Sequence, residues 1–464
     1  MSQEHTSRIL DGVDATMNPI SAEISSQTMN TAGAAVTPIK RRWLSNFILT
    51  FTLFADSNES GIVSTLFALI SKDLGLGLAT LGILTALGKI ISALFGPLWA
   101  VLARRFNRKL VLVIATVVFG LWTVAIGFAQ NFTQFLLLFI VATIGTVAAQ
   151  PIITEMLGDL FADNERGRAT GMMYGTLTLI GAFTTPLIGQ LSTIPHGWRT
   201  AYYIVGGVMG LTGLLVLVAV HDPGRGATEA SREQASIQHT HTQALKWSDI
   251  KQLFTIPTYV LMLVSRLLSG HLLISSFGVI YMITVLHFTT AQATLVFGLA
   301  NLGYVAGSVA GGFVVDRASK NSPRYGRVLM LQLAQVLFAI VAFFGTQFLW
   351  SNLGVVIAFF FLMFFFQGVN PGINRPIVYA VVPPALRGAA FAVMISIVES
   401  IGWAIYNLLA GFLGQKFGLQ PVFLVVLVVL MLINAAVIFA LYKTYWPDVR
   451  KLQGVEASAN VKGA

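Results

Sequence analysis

Long apolar runs separated by short polar breaks occupy most of this chain. Runs long enough to cross a bilayer as a helix fall at roughly 44–70, 79–103, 110–129, 134–160, 168–191 and 200–220, and again at 257–285, 291–315, 327–349, 352–380, 387–413 and 420–442. A lipid-exposed strand or open loop would leave its backbone polar groups unsatisfied, so each run predicts a helix. The polar stretch 221–256 divides the runs into two sets. The pattern predicts an all-α polytopic membrane protein with about 12 transmembrane helices in two pseudo-symmetric six-helix halves. Its expected parts are a polar N-terminal tail at 1–42, a bundle at 43–220, a central loop at 221–256, a second bundle at 257–442 and a C-terminal tail at 443–464.

Composition sharpens this. Of 464 residues 55% are hydrophobic and only 10% charged, with mean hydropathy +0.76. Soluble domains carry about 25% charged residues, so an ordinary soluble enzyme, a disordered chain and a disulfide scaffold are excluded. There is no Cys, hence no thiolate metal site or cysteine nucleophile. The first 42 residues lack the apolar core of a signal peptide.

The net charge of +10 follows from topology. Of the 29 Lys and Arg residues, Lys89, Arg266 and Arg375 fall inside runs, and Lys72, Arg199 and Lys416 lie on one side. The others lie on the opposite side, which is therefore expected to be cytoplasmic, with both termini, in a plasma or inner membrane. No contiguous basic surface with base-reading residues supports a nucleic-acid partner. His239 and His241 in the central loop read as solvated, so neither a metal nor a cofactor is expected. Trp247, Ile250, Leu253 and Phe254 recur at helical spacing, which predicts a short interfacial helix.

The halves echo one another. Pro151-Ile152-Ile153 precedes Arg166-Gly167, and Pro376-Ile377-Val378 precedes Arg387-Gly388. A basic loop follows the second run (Arg104–Lys109) and the eighth (Asp316–Arg327). Gly312-Phe313-Val314-Val315-Asp316-Arg317 and, in the first half, Arg105-Phe106-Asn107-Arg108-Lys109 resemble the loop signature of the major facilitator superfamily. In the first half Ala100 and Arg104 stand where that signature has Gly and Asp. Asp159-Leu160-Phe161, Arg166-Gly167-Arg168-Ala169, Gly197-Trp198-Arg199 and Pro383-Pro384 resemble the spinster-like branch, with Thr146 and Ser57 where that branch has an acid and an Arg. The resemblance covers about residues 43–445. It implies alternating access, a cavity lined by the first, fourth, seventh and tenth spans, and conformational roles for Arg105, Arg108, Asp316 and Arg317.

A charge at the centre of a span costs about 2.5–3.5 kcal/mol and so needs a partner, water or a function. Asp56 and Glu59 stand three residues apart on one face of the first span, near mid-depth. Two such carboxylates do not both ionise easily, which suits reversible protonation; pairing with Lys89 is the structural alternative. Arg266 and His271 lie in the seventh span, Gln367, Asn370, Asn374 and Arg375 around Pro371-Gly372 in the tenth, and Gln150 and Glu155 around Pro151 in the fourth. Pro371-Gly372 predicts local unwinding there. Glu399 and Trp403 are one turn apart in the eleventh span.

These residues give an expected proton-coupling set of Asp56, Glu59 and Glu399. The substrate-contact set is Lys89, Gln150, Arg266, His271, Gln367, Asn370, Asn374, Arg375 and Trp403, and the acid could instead pair structurally with Arg266 or Arg375. No phosphate-binding loop, nucleophile elbow or zinc-hydrolase motif occurs, so neither an ATP-driven pump nor an enzyme is expected. The reading is a monomeric, proton-coupled secondary transporter of a small organic solute, with an organic anion favoured by the intramembrane cations. An exporter of amphipathic or lipid-like compounds is the alternative, and a non-transporting membrane sensor a lesser one.

Overall fold

Each apolar run becomes a helix because backbone groups in lipid must be satisfied within the segment. The structure, a computed structural model, describes residues 41–161, 163–222, 224 and 251–462. The tail 1–40, the loop histidines and Trp247 and Ile250 lie outside the described residues. In the first half α1 (Arg42–Leu74), α2 (Leu78–Arg105), α3 (Arg108–Ile126), α4 (Phe132–Leu160), α5 (Asp163–Gln190) and α6 (Gly197–Ala219) follow in order. In the second come α7 (Pro257–Thr284), α8 (Thr290–Asn321), α9 (Gly326–Gln347), α10 (Leu353–Val381), α11 (Arg387–Phe417) and α12 (Leu419–Ile438). The segment expected as a C-terminal tail is helical, α13 (Leu441–Lys462).

The 11 helices from α2 to α12 are long and apolar enough to cross a membrane. Helix α1 has the length, 33 residues, but its Asp56–Glu59 stretch interrupts the apolar character of the others.

Several spans are irregular: α1 kinks at Leu66 and α12 is π-helical over Leu424–Val429, and three further departures lie in α4, α7 and α11. In α4 the helix breaks at Val147–Ala148. Pro151 lacks the N–H that would bond the Val147 carbonyl, and its ring displaces that carbonyl. In α7 the helix breaks at Leu268–Leu272, where Gly270 lies so close to α12 that a Cβ would stand 2.2 Å from the Val426 carbonyl oxygen. In α11 residues Ala392–Glu399 form a π-helix, a widening often found at functional sites.

The unwinding expected at Pro371-Gly372 does not occur: α10 is continuous. Glycines bolt it to α8. A Cβ on Gly303, Gly307 or Gly368 would sit 2.3, 2.0 and 2.2 Å from the carbonyl oxygen of Phe361, Phe365 and Tyr304. Backbones this close hold α10 on course, and the Asn370 amide donates to the Phe366 carbonyl (3.0 Å) beside the proline.

Charged ties fix the ends of the first half. At the basic end the buried Arg108 guanidinium donates to Asp222 at 2.7 Å, to Glu155 at 3.5 Å and to Asp159. Arg42 forks onto Glu165 at 2.5 and 2.9 Å. Arg105, Asp316 and Arg317 are exposed, and neither Asp316 nor Arg317 forms an ion pair among the described residues.

At the opposite end Asp73, beyond the apolar stretch of α1, accepts from Trp198 Nε1 (2.9 Å) and Arg199 (3.1 Å), with His196 at 3.6 Å. Partial burial pushes the Asp73 carboxyl up, but the Trp198 hydrogen bond and the Arg199 and His196 charges outweigh it and hold it below the usual carboxylate range. A carboxylate so lowered stabilises the fold above its ordinary value, about 3.9, and that contribution is lost as pH falls through the lowered value. Asp73→Asn should therefore lower the thermal midpoint near neutral pH, with the gap to wild type closing in strong acid. A gap that stays constant across that range would refute the clasp.

Candidate functional site

The two halves meet along α2–α11 and α5–α8, and small residues decide where they touch. A Cβ on Gly82 of α2 would lie 2.4 Å from the Asn407 carbonyl oxygen of α11. Ala79 N–H donates to Gln415 Oε1 (3.0 Å) nearby. In the other seam a Cβ on Gly189 of α5 would stand 1.8 Å from Thr294 Oγ1, and one on Gly298 of α8 2.5 Å from the Ala182 carbonyl oxygen. All these contacts lie toward the end that carries Lys72, Arg199 and Lys416.

Toward the basic end both seams part. Gly175 and Gly171 share a helical stripe with Ala182 and Gly189, yet a Cβ there meets nothing within 4 Å. On α2, Gly96 shares the stripe of Gly82 and meets Val147 of α4 (3.7 Å) rather than α11. An open cleft lined by Ala100, Arg104, Pro151, Thr154 and Glu155 lies at this end, and Gln150 is exposed beside it. The transporter-like halves are sealed at one end and open at the basic one. With no native Cys, single substitutions report this directly. Gly175→Cys should react with a water-soluble thiol reagent much faster than Ala182→Cys, and equal rates would contradict the open state.

Where the seal ends, charges gather. Lys89 of α2 is one heptad from Gly82, and its Nζ sits 3.5 Å above the centroid of the Trp403 ring of α11. This is a contact between halves. Trp403 Nε1 donates to Ser276 Oγ of α7 (3.2 Å), which orients the ring. One turn from Trp403, Glu399 closes the π-helix and accepts from the Arg266 guanidinium of α7. The Glu399 charge also acts on Lys89, and Tyr304 of α8 is within electrostatic reach of Arg375, Glu399 and Arg266. The break in α7 frees the Leu267 carbonyl, which accepts from the Tyr406 hydroxyl. Arg375 is exposed and makes no ion pair among the described residues.

The structure thus brings Lys89, Arg266, Glu399 and Trp403 together. It places His271, Gln367, Asn370 and Asn374 in the buried interior of the second half. His271 lies edge-on to Phe338 of α9 (5.7 Å), and Asn370 Oδ1 accepts from Gln335 of α9 (2.6 Å).

Asp56 and Glu59 form a separate buried centre inside the first half. Asp56 Oδ2 accepts from Thr116 Oγ1 of α3 at 3.5 Å, and among the described residues Asp56 Oδ1 and both Glu59 oxygens have no hydrogen-bond partner. Thr146 stands beside Glu59 but donates to the Thr143 carbonyl (3.2 Å). The buried Tyr202 hydroxyl, without a hydrogen-bond partner among the described residues, is within reach of the Glu59 charge. Lys89 is committed to Trp403 and does not pair with either acid. Sequence reasoning missed Thr116, Tyr202, Tyr304 and Ser276, because single hydroxyls in a span usually bond their own helix and carry no pattern; Thr146 was noted only as standing where the spinster-like branch has an acid.

Residues 48–324 match the sequence profile of the Major Facilitator Superfamily. The chain belongs to this superfamily. It is 26% identical over 298 residues to the MFS transporter cpaT of Aspergillus oryzae, covering 60% of each chain. It is 24% identical over 183 residues to the quinolone resistance protein NorA of Staphylococcus aureus, covering 39% of this chain and 46% of that one. The matches span less than two thirds of either relative. In fold it is similar to a bacterial homologue of the human lysosomal transporter Spinster in an inward-facing, unoccupied conformation (TM-score 0.74, 18% identity, 88% of this chain and 98% of that one). It is also similar to a D-xylose–proton symporter (TM-score 0.65, 13% identity, 85% and 96%). Family and fold are those of membrane transporters.

Proposed function

We propose that this protein is a secondary active transporter of the spinster-like branch that moves a small organic anion by alternating access, coupled to protons. One observation carries the substrate class: two cations, Lys89 and Arg266, gather about a single carboxylate, Glu399, where the sealed seam ends, and Arg375 on α10 adds a further cation, unpaired among the described residues. That surplus of positive charge at membrane depth favours an anion, and the Arg fork matches a carboxylate or phosphate. Coupling rests on Asp56 and Glu59, whose buried and uncompensated charge a bound proton removes. Glu399 is the secondary carrier, because Arg266 already neutralises it. In this reading the basic face is cytoplasmic, both termini lie there, and the molecule works as a monomer in a plasma or inner membrane.

A second reading is export of amphipathic cations. It is favoured by the face of Trp403 that Lys89 occupies, which an organic cation would also fit, and by the likeness to the quinolone resistance protein. Uptake by proteoliposomes with and without a pH gradient separates the two. Accumulation of an organic anion that collapses with the gradient is expected. Accumulation of cationic amphiphiles alone would replace this reading with the second.

A further inference from the structure

Helix α13 starts two residues after α12 ends, so it leaves the bilayer at the membrane–water boundary on the basic face. Its sequence sorts into three stripes at helical spacing. Leu441, Tyr445 and Val449 are buried against the second half, and Asp448 accepts the Thr258 N–H at the start of α7 (2.9 Å). Beside them Tyr442 and Trp446, with Phe439 one turn earlier, form an aromatic stripe, and Phe439 is 61% exposed. Next to the aromatics lie the exposed cations Lys443 and Arg450.

The loop between α8 and α9 completes the surface. Tyr325 packs on Tyr442 (ring centroids 5.8 Å), Arg327 donates to the Tyr445 hydroxyl (3.2 Å), and exposed Arg324 lies over the Tyr325 ring at 4.8 Å. Arg450 lies over Trp446 at 5.5 Å. A guanidinium stacked on a ring by its face keeps its rim N–H groups free to fork onto a phosphate. Asp448 is engaged by α7, and none of Arg324, Lys443 and Arg450 has a carboxylate partner among the described residues.

We infer that this ladder of Tyr325, Phe439, Tyr442 and Trp446 with Arg324, Lys443 and Arg450 binds anionic phospholipid headgroups. Aromatic rings at headgroup depth flanked by cations are the chemistry of a lipid interface, and the exposed Phe439 next to the end of α12 places acyl chains beside the phosphates. A soluble polyanion would have no use for that apolar edge. The site is independent of the transported substrate, and α13, which also holds the start of α7, would be its means of steadying the second half.

The test uses the purified full-length chain in detergent, titrated with phosphatidylglycerol, phosphatidylcholine or inorganic phosphate while lipid binding and the thermal midpoint are followed. Phosphatidylglycerol should bind and raise the midpoint, and the other two should not. The triple variant Arg324→Gln/Lys443→Gln/Arg450→Gln changes exposed side chains only. It should keep its lipid-free midpoint and bind phosphatidylglycerol about a hundredfold more weakly, from roughly fivefold per cation. Unchanged affinity in the variant would overturn the site. Equal binding of phosphatidylcholine would reduce it to acyl-chain contact, and equal binding of inorganic phosphate would make it a small-anion site, either of which also refutes the inference.

Discussion

Arg266→Ala should abolish transport and also destabilise the protein, whereas Arg266→Ala combined with Glu399→Gln should regain stability without regaining transport. The single substitution strands the Glu399 carboxylate in a largely buried setting, and losing one partner of such a pair costs about 3–5 kcal/mol. Removing the charge from both partners removes that penalty. If the pair were only structural, the double variant would recover transport along with stability. Thermal midpoints and uptake on the same preparations separate the outcomes. Arg375→Ala, which breaks no ion pair, should lose transport with little change in midpoint.

Substitution of the buried acids should instead uncouple the cycle. Asp56→Asn and Glu59→Gln keep the volume of side chains that already lack a cation, so folding should be nearly unaffected. Exchange of labelled for unlabelled substrate should persist, because it needs no net charge movement. Accumulation driven by a pH gradient should fail in the variant that removes the proton site. Accumulation that survives in both would move coupling to Glu399, where the proton would have to compete with Arg266.

Much of the architecture was legible from hydropathy, since lipid makes backbone satisfaction a local matter. The Asp56/Glu59 pair was legible too, because three-residue spacing on one helix settles a shared face. What joins separate helices was not. Nothing in the sequence near Lys89 or Trp403 announces that they touch, because that contact depends on how far the α2–α11 seam closes. Local rules also misled at Pro371-Gly372, where glycine contacts with α8 outweigh the tendency to unwind, while the break beside Pro151 was not foreseen although its proline was visible. The break at Leu268–Leu272 has no proline and follows from the close approach of Gly270 to α12.

Lys89 and Trp403 ride on different halves, whereas Arg375 and Tyr304 ride on helices bolted together. In the proposed alternating-access cycle, each reversal of the cavity would pull an ammonium group off an indole and replace it with water or solute. An indole's emission responds to a charge held against its face. On that cycle the protein would carry an intrinsic optical reporter of its own turnover, readable without a label, as a change in Trp403 fluorescence that Lys89→Met would erase.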